Sequence, residues 1–204
     1  VETIGAATRY TLSGEGFGAA VSAPVIRNGG VFEVQLDADS STYGGAGFKT
    51  IASNAQAGNA TQITLAATDV EPTGTYNGMM LYILSGLGAG QYGVISSYNA
   101  STKIATIVKE SDGTAGFEHI KGSSIASVLD ATTAYDITPR VIFTAPTSGT
   151  RARARARVAD EKVVEIKIIE PGSGYTVAPQ MTIIDPSHTI MVPHSIRIGN
   201  GVLA

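Results

Sequence analysis

The feature that most constrains this chain is a series of short alternating or β-branched runs, separated by Gly, Asn-Gly or Asp-Gly turn signals. Alternation with a period of two is typical of strands, and helical periodicity is nearly absent. The regular spacing of the runs predicts an all-β protein of short antiparallel strands in sandwich or barrel-like modules. A short helix is suggested only at residues 124–131. The clearest runs are residues 31–36, 80–84, 93–98, 103–108, 140–143, 163–169 and 181–184.

Two turn segments have a chemical basis in the sequence. Asn28 and Gly29 stand between apolar runs and can supply the positive φ angles that a tight hairpin needs. Residues 98–103 join two predicted strands, and the Asn99 side chain can bond the backbone that follows it. Asn59 and Asn99 both fit the glycosylation pattern, but with no secretory leader in view we interpret both as turn residues.

The composition favours a folded domain and disfavours nucleic-acid binding. Charged residues make up 15% of the 204 residues, against about 25% in an average protein, and the net charge is −3. Low charge argues against disorder, and an acidic balance argues against nucleic acid as a partner. The chain has no Cys, so neither a disulfide nor a thiolate metal site is expected.

The apolar runs and the first residues of the chain show no pattern of a membrane span or a secretory leader. The longest apolar runs, such as residues 163–169, are broken by charges and are far shorter than the roughly 20 residues of a spanning helix. The chain begins at Val1 with no leader pattern. We therefore expect a soluble fragment or processed product, with no membrane contact.

An internal repeat predicts the domain organisation. Residues 7–51 can be laid over residues 138–183, with a shared order of strand, turn, strand, Gly-Tyr loop and strand. The expected domains are a first module at 1–54, a central β insert at 55–137, and a second module at 138–204 that joins the first. The segments that correspond are 8–10 with 139–141, 19–26 with 151–158, 27–30 with 159–162, 31–36 with 163–168, 40–45 with 171–176 and 49–51 with 181–183.

One segment carries a resemblance to known proteins. Pro171-Gly172-Ser173-Gly174-Tyr175, followed by Ala178-Pro179, resembles a Gly-Ser-Gly-Tyr signature of phage virion proteins. In those proteins, as in this chain, the signature follows an Ala-rich strand and a turn. Together with residues 86–99, 113–120 and 134–141, it resembles baseplate wedge and related structural proteins of large contractile-tailed bacteriophages.

The resemblance implies a structural component of the virion, in the tail or baseplate, that is assembled in the host cytoplasm. It implies a rigid β scaffold and subunit connector with no enzymatic activity, no catalytic residues and no cofactor. The expected partners are other virion structural proteins and copies of the same chain.

The most unusual run is Arg151, Arg153, Arg155 and Arg157, with Ala between them. On a strand all four Arg side chains lie on one face. Such a row repels itself unless something negative faces it. Nucleic-acid phosphates are one candidate, but the chain is acidic overall and no aromatic residues alternate with the Arg residues, so we predict a docking interface instead. A three-residue hairpin turn would place Arg155 opposite Glu165. A turn of two or four residues would place Arg155 opposite Ile166, and the row would then need carboxylates of another chain. A solvated edge strand, protected from strand addition, is the alternative.

Other chemical candidates are weaker. His188 and His194 with Asp185 could bind a transition metal, but a surface role is preferred, as it is for His119. The Gly-x-Gly-x-Gly segment at 86–90 lacks the dinucleotide spacing and predicts a hairpin loop. Residues 37–41 offer alternate oxygen ligands but lack the closing Glu of a calcium loop. Two carboxylate pairs have a glycosidase-like composition without a signature, namely Asp69 with Glu71 and Asp112 with Glu118.

A receptor- or carbohydrate-binding module of a tail fibre is the alternative function. Sugar sites often use exposed aromatic side chains on β scaffolds. Four tyrosines of the central segment could serve, although the chain has no Trp and only 6% aromatic residues. These are Tyr76, Tyr82, Tyr92 and Tyr98.

Overall fold

The structure is a computed structural model that describes residues 25–34, 48, 50–120, 125–185 and 188–191. These residues form 16 strands and no helix, which confirms the all-β prediction. The described part of the chain accordingly offers no helix that could cross a membrane. The strands are β1 (Val25–Arg27), β2 (Gly30–Glu33), β3 (Ile51–Asn54), β4 (Ala57–Asn59), β5 (Gln62–Thr64), β6 (Met80–Ser85), β7 (Gln91–Asn99), β8 (Ile104–Val108), β9 (Glu118–His119), β10 (Val128–Leu129), β11 (Ala134–Thr138), β12 (Arg140–Phe143), β13 (Arg153–Ala159), β14 (Lys162–Glu170), β15 (Met181–Asp185) and β16 (His188–Met191).

The helix expected at 124–131 is wrong for the residues that are described there. Strand β10 occupies Val128–Leu129 and pairs with β4. Leu129 is buried, and Gly58 on β4 leaves room for its side chain, because a Cβ at Gly58 would lie 2.9 Å from Leu129 Cδ1. Tertiary pairing therefore overrides the weak helical pattern at this site.

Two compact units divide the chain. The first contains residues up to 48, residues 141–184 and residues from 188 onward, and the second contains residues 49–140 with 185–187. The sequence had placed the boundaries at 54/55 and 137/138. Strands β3 and β11 pair antiparallel, with Ile51 opposite Ile137, so the second unit begins and ends on neighbouring strands.

The second unit is built on one antiparallel sheet of nine strands. The order is β10-β4-β5-β8-β7-β6-β11-β3, and β9 pairs with β7. Its core contains several fully buried side chains, among them Ile63, Leu65, Ile95 and Ile107. Asn99 closes the turn between β7 and β8, where its Oδ1 accepts hydrogen bonds from two following backbone N–H groups at 2.9 and 3.2 Å. The turn role predicted for Asn99 is thus confirmed.

Asn59 closes a comparable turn between β4 and β5. Its Oδ1 accepts hydrogen bonds from the backbone N–H groups of Thr61 at 2.9 Å and Gln62 at 3.0 Å. The interpretation of this Asn as a turn residue is also confirmed.

The first unit contains a five-stranded sheet and a two-stranded sheet. The larger sheet has the order β14-β13-β12-β15-β16, and β1 pairs with β2. Asn28 and Gly29 form the turn of the small sheet with φ angles of 50° and 73°, as the sequence predicted. One core cluster includes residues of both sheets, such as Val31, Phe143 and Met181.

Candidate functional site

The Arg residues of β13 alternate with Ala as the sequence predicted. Ala152, Ala154 and Ala156 are buried in the core of the first unit. The Arg side chains therefore point to the opposite face of the sheet. Strand β13 is not an edge strand, because it lies between β14 and β12, so the edge-strand reading of this row is wrong.

The register of the β13–β14 hairpin differs from both predicted registers. The turn has two residues, and Arg155 lies opposite Lys167 rather than Glu165 or Ile166. A bulge causes the difference, because Val164 is an extra residue on β14 and shifts the pairs from Arg157 to Ala154 by one position. A second extra residue, Ile169, shifts Arg153 by one more position, opposite Glu170. Sequence patterns do not reveal such an insertion. The shifted register puts Arg157 opposite Glu165.

Carboxylates of the same hairpin pair with Arg153 and Arg157, so these two residues do not require partners on another chain. Arg153 Nη1 lies 3.0 Å from Glu170 Oε2, and these side chains are 17% and 26% exposed. Arg157 Nη1 lies 3.8 Å from Glu165 Oε2, with 65% and 51% exposure. The attraction between Arg153 and Glu170 is therefore less screened by water than that between Arg157 and Glu165.

Exposure changes along the row. Arg151, Arg153 and Arg155 are partly buried, and Arg157 is exposed beside the turn. Two ion pairs therefore lie on this face, and the more accessible of them is Arg157 with Glu165. This arrangement suits a specific contact with a polar protein surface near the turn.

The Gly-Ser-Gly-Tyr segment forms hydrogen bonds with residues that flank strands β12 and β13 of the first unit. Tyr175 is buried, and its hydroxyl accepts from Ala152 N at 2.9 Å and donates to Thr144 O at 3.2 Å. Gly174 has a φ of 80°, and a Cβ there would lie 1.7 Å from Ser148 O. The segment therefore requires Gly at this position and Tyr at the next, for steric and hydrogen-bonding reasons.

A buried carboxylate and two tyrosines form a polar cluster in the second unit. Asp69 Oδ2 accepts from the Tyr76 hydroxyl and Oδ1 from the Tyr98 hydroxyl, both at 2.7 Å. Asp69 Oδ1 also accepts from Glu71 N at 3.1 Å. Burial first, and then the hydrogen bond to Asp69, raises the pKa of both Tyr76 and Tyr98. The two hydroxyls therefore stay protonated and hold the Asp69 loop against Tyr76 and Tyr98 by hydrogen bonds.

This cluster was missed in the sequence. The sequence suggests Asp69 only as a partner of Glu71 in a carboxylate pair, and no spacing connects Asp69 with Tyr98. Tyr135 adds a related contact, because its hydroxyl accepts from Ala66 N at 3.0 Å and so holds the same loop. Burial raises the pKa of Tyr135 as well.

The second carboxylate pair also serves the backbone. Asp112 Oδ1 accepts from Thr114 Oγ1 at 2.7 Å and Thr114 N at 2.9 Å, and these bonds lower the pKa of Asp112. Glu118 Oε2 accepts from the backbone N–H groups of Glu110 at 2.6 Å and Ser111 at 3.2 Å. Both carboxylates thus stabilise turns.

The Gly-rich segment at 86–90 forms the loop between β6 and β7, as predicted. Gly86, Gly88 and Gly90 all have positive φ angles. A Cβ at Gly86 would lie 1.9 Å from Thr132 O, so the loop packs closely on a neighbouring turn.

The four tyrosines suggested for sugar stacking do not form an exposed surface. Each is buried, and they pack in pairs with ring centroids 4.8 Å apart for Tyr76 and Tyr98, and 6.0 Å apart for Tyr82 and Tyr92. The expectation of an aromatic platform from these residues is wrong, because Tyr76 and Tyr98 belong to the core of the second unit and Tyr82 and Tyr92, outside that cluster, are buried as well.

The remaining candidates lie mostly outside the described residues. The loop at 37–41 and His194 are not described, and of His188 and Asp185 only the strand backbone is. His119 is exposed on β9, with Nδ1 3.3 Å from Ile120 O. Among the described residues, no group of three or more His, Cys, Asp or Glu is placed to hold a metal.

Comparisons with protein-family models, curated proteins and solved structures find no match for this chain.

Proposed function

We propose that this chain is a structural, non-enzymatic component of a contractile-tailed phage virion, where it acts as a rigid β scaffold and connects subunits of the baseplate or fibre network. The observation that carries the proposal is the role of Tyr175. It belongs to the segment that most resembles virion proteins, and its hydroxyl and backbone join separate segments of the first unit.

The use of polar side chains within the fold supports a scaffold role. Asp69, Asp112 and Glu118 each accept at least two hydrogen bonds from the protein itself. Carboxylates committed in this way hold loops against strands, and networks of this kind rigidify a fold.

Contacts with other virion proteins would use the exposed end of the Arg row. Arg157 and Glu165 lie beside each other there and present both charges. A partner surface with a complementary pair would gain specificity from them more than affinity.

The test uses the phage genome that encodes the chain. Its reading frame is deleted and then supplied from a plasmid as wild type, as Gly174→Val or as Gly113→Ala. A Cβ at Gly174 lies 1.7 Å from Ser148 O, whereas one at Gly113 has nothing within 4 Å. We expect incomplete tails on deletion, rescue by wild type and Gly113→Ala, and failure with Gly174→Val.

Mass spectrometry of purified particles should find the chain in a fixed ratio to the tail proteins. Complete, infectious particles that lack the chain would refute the structural role. Saturable binding of host-envelope glycans to the purified chain, together with complete particles on deletion, would favour the receptor-binding alternative.

A further inference from the structure

The two hairpins of the first unit have the same turn. The β1–β2 turn consists of Asn28 and Gly29, with φ angles of 50° and 73°. The β13–β14 turn consists of Asp160 and Glu161, with φ angles of 48° and 59°. Two central residues with positive φ define the tight hairpin turn that matches the twist of the strands. Glu161 adopts this conformation although it is not Gly, which costs energy and shows that the surroundings impose the turn.

The same bulge follows each turn. Phe32 is the extra residue on β2, and Val164 is the extra residue on β14. Each is the third residue after its turn, and they are 52% and 43% exposed. The residue before each bulge and the second residue after it are buried, namely Val31, Val34, Val163 and Ile166.

Each turn accepts a hydrogen bond from an aromatic residue associated with the other hairpin. Tyr175 N donates to Gly29 O at 2.9 Å, and Phe48 N donates to Glu161 O at 3.2 Å. Gly29 and Glu161 are both the second residue of their turns. Tyr175 and Phe48 are both buried. The contacts are therefore reciprocal.

The residues before the two aromatic side chains follow one pattern. Tyr175 follows Gly172-Ser173-Gly174, and Phe48 follows Gly45-Ala46-Gly47. The hydrogen bonds thus make Phe48 the counterpart of Tyr175. The overlay of residues 40–45 on 171–176 is shifted relative to this pairing, and residues 40–45 lie outside the described part of the chain.

We propose that the hairpin turn and the buried aromatic residue that donates its amide to a turn form one self-complementary docking surface, whose partner is a second copy of the same module. In this chain the two copies contain residues 25–34 with Phe48 and residues 141–184, and each docks its aromatic residue, Phe48 or Tyr175, on the turn of the other. The main-chain contact at Gly29 is close, since a Cβ there would lie 3.3 Å from Gly174 N. The inference is independent of the virion assignment, because it concerns the purified chain alone.

The first test is hydrogen exchange on the full chain with Gly29→Ala, and with Gly113→Ala as the matched control. Both positions have a φ of 73°, but only Gly29 has a docking loop beside it. We expect exchange at the Tyr175 amide to rise about tenfold in Gly29→Ala, with a rise also at Phe48, and no change at either in Gly113→Ala. A rise at Tyr175 alone would overturn the reciprocal docking, as would no change.

The second test exchanges the hairpin tips of the full chain, so that residues 25–34 and 157–166 swap places. Equivalent modules should tolerate this swap and keep both amides, Phe48 and Tyr175, within about threefold of their wild-type exchange rates. The control places residues 97–106, a hairpin tip of equal length from the second unit, at 157–166, and should lose the protection of Phe48. If the swapped chain lost protection as completely as the control, the two copies would not share a docking surface.

Discussion

Removal of the Asp69 carboxylate should destabilise the second unit strongly. In Asp69→Ala the hydroxyls of Tyr76 and Tyr98, both fully buried, lose an acceptor at 2.7 Å. An unsatisfied buried polar group costs roughly 1 to 3 kcal/mol, so two should lower the free energy of unfolding by about 3 kcal/mol. Asp69→Asn keeps one acceptor oxygen and should cost about half as much.

Urea unfolding followed by tyrosine fluorescence measures this loss, since the chain has no Trp. Asp112→Ala is the control, because Asp112 is an exposed turn carboxylate whose contacts water can replace. A second comparison separates the orphaned hydroxyl from general damage. Tyr98→Phe should cost stability in the wild type but much less in Asp69→Ala, where it removes a group that has already lost its acceptor. The reasoning fails if Asp69→Ala loses no more stability than Asp112→Ala.

Three further predictions follow from the turns, ion pairs and tyrosines. Glu161→Gly should raise the midpoint of thermal unfolding of the first unit, because it relieves roughly 1 kcal/mol of strain from a left-handed backbone conformation. Lys103→Gly, at a φ of 59°, should raise the midpoint of the second unit for the same reason. A fall in either midpoint contradicts this. Urea unfolding should show that Glu170→Gln lowers the free energy of unfolding by about 1 kcal/mol and Glu165→Gln by less than about 0.5 kcal/mol, because the Arg153–Glu170 pair is less exposed than the Arg157–Glu165 pair. Equal losses would show that burial does not set the strength of these pairs. The folded-state pKa of Tyr98 lies above the unfolded value, so its contribution is fully present below about pH 10 and is lost as the pH rises further. Tyrosinate absorbance should therefore report late ionisation together with alkaline unfolding, and Tyr98→Phe should weaken that pH dependence.

Strands with an apolar pattern could be predicted from the sequence, and strands without one could not. Strand β12 was predicted at its observed bounds, Arg140–Phe143. Strand β4 (Ala57–Asn59) has no apolar alternation and exists because β5 and β10 pair with it. Its formation depends on contacts distant in sequence, which local propensity does not contain.

In the candidate site, too, the sequence predicts features that depend on neighbouring residues but not those that depend on contacts distant in sequence. Alternation gave the face of each Arg on β13, because it depends only on the strand period. The residues opposite Arg155 and Arg157 depend on the Val164 bulge, and the residue opposite Arg153 depends also on a second register shift at Ile169. The Asp69 cluster could not be predicted for another reason, because Tyr98 lies on β7 and contacts Asp69 only once the sheet has formed.

The ends of the second unit explain how a large insert can separate two modules that dock on each other. Loop-closure entropy grows only with the logarithm of loop length, so a long connection costs little more than a short one. In addition, residues 49–140 are not a loose loop, because β3 and β11 bring Ile51 opposite Ile137. Once that unit has folded, the chain leaves it close to where it entered, and Phe48 is joined to Val141 by an effectively short connection. Docking of the two modules is then limited by the fit of their turns and loops rather than by the length of chain between them.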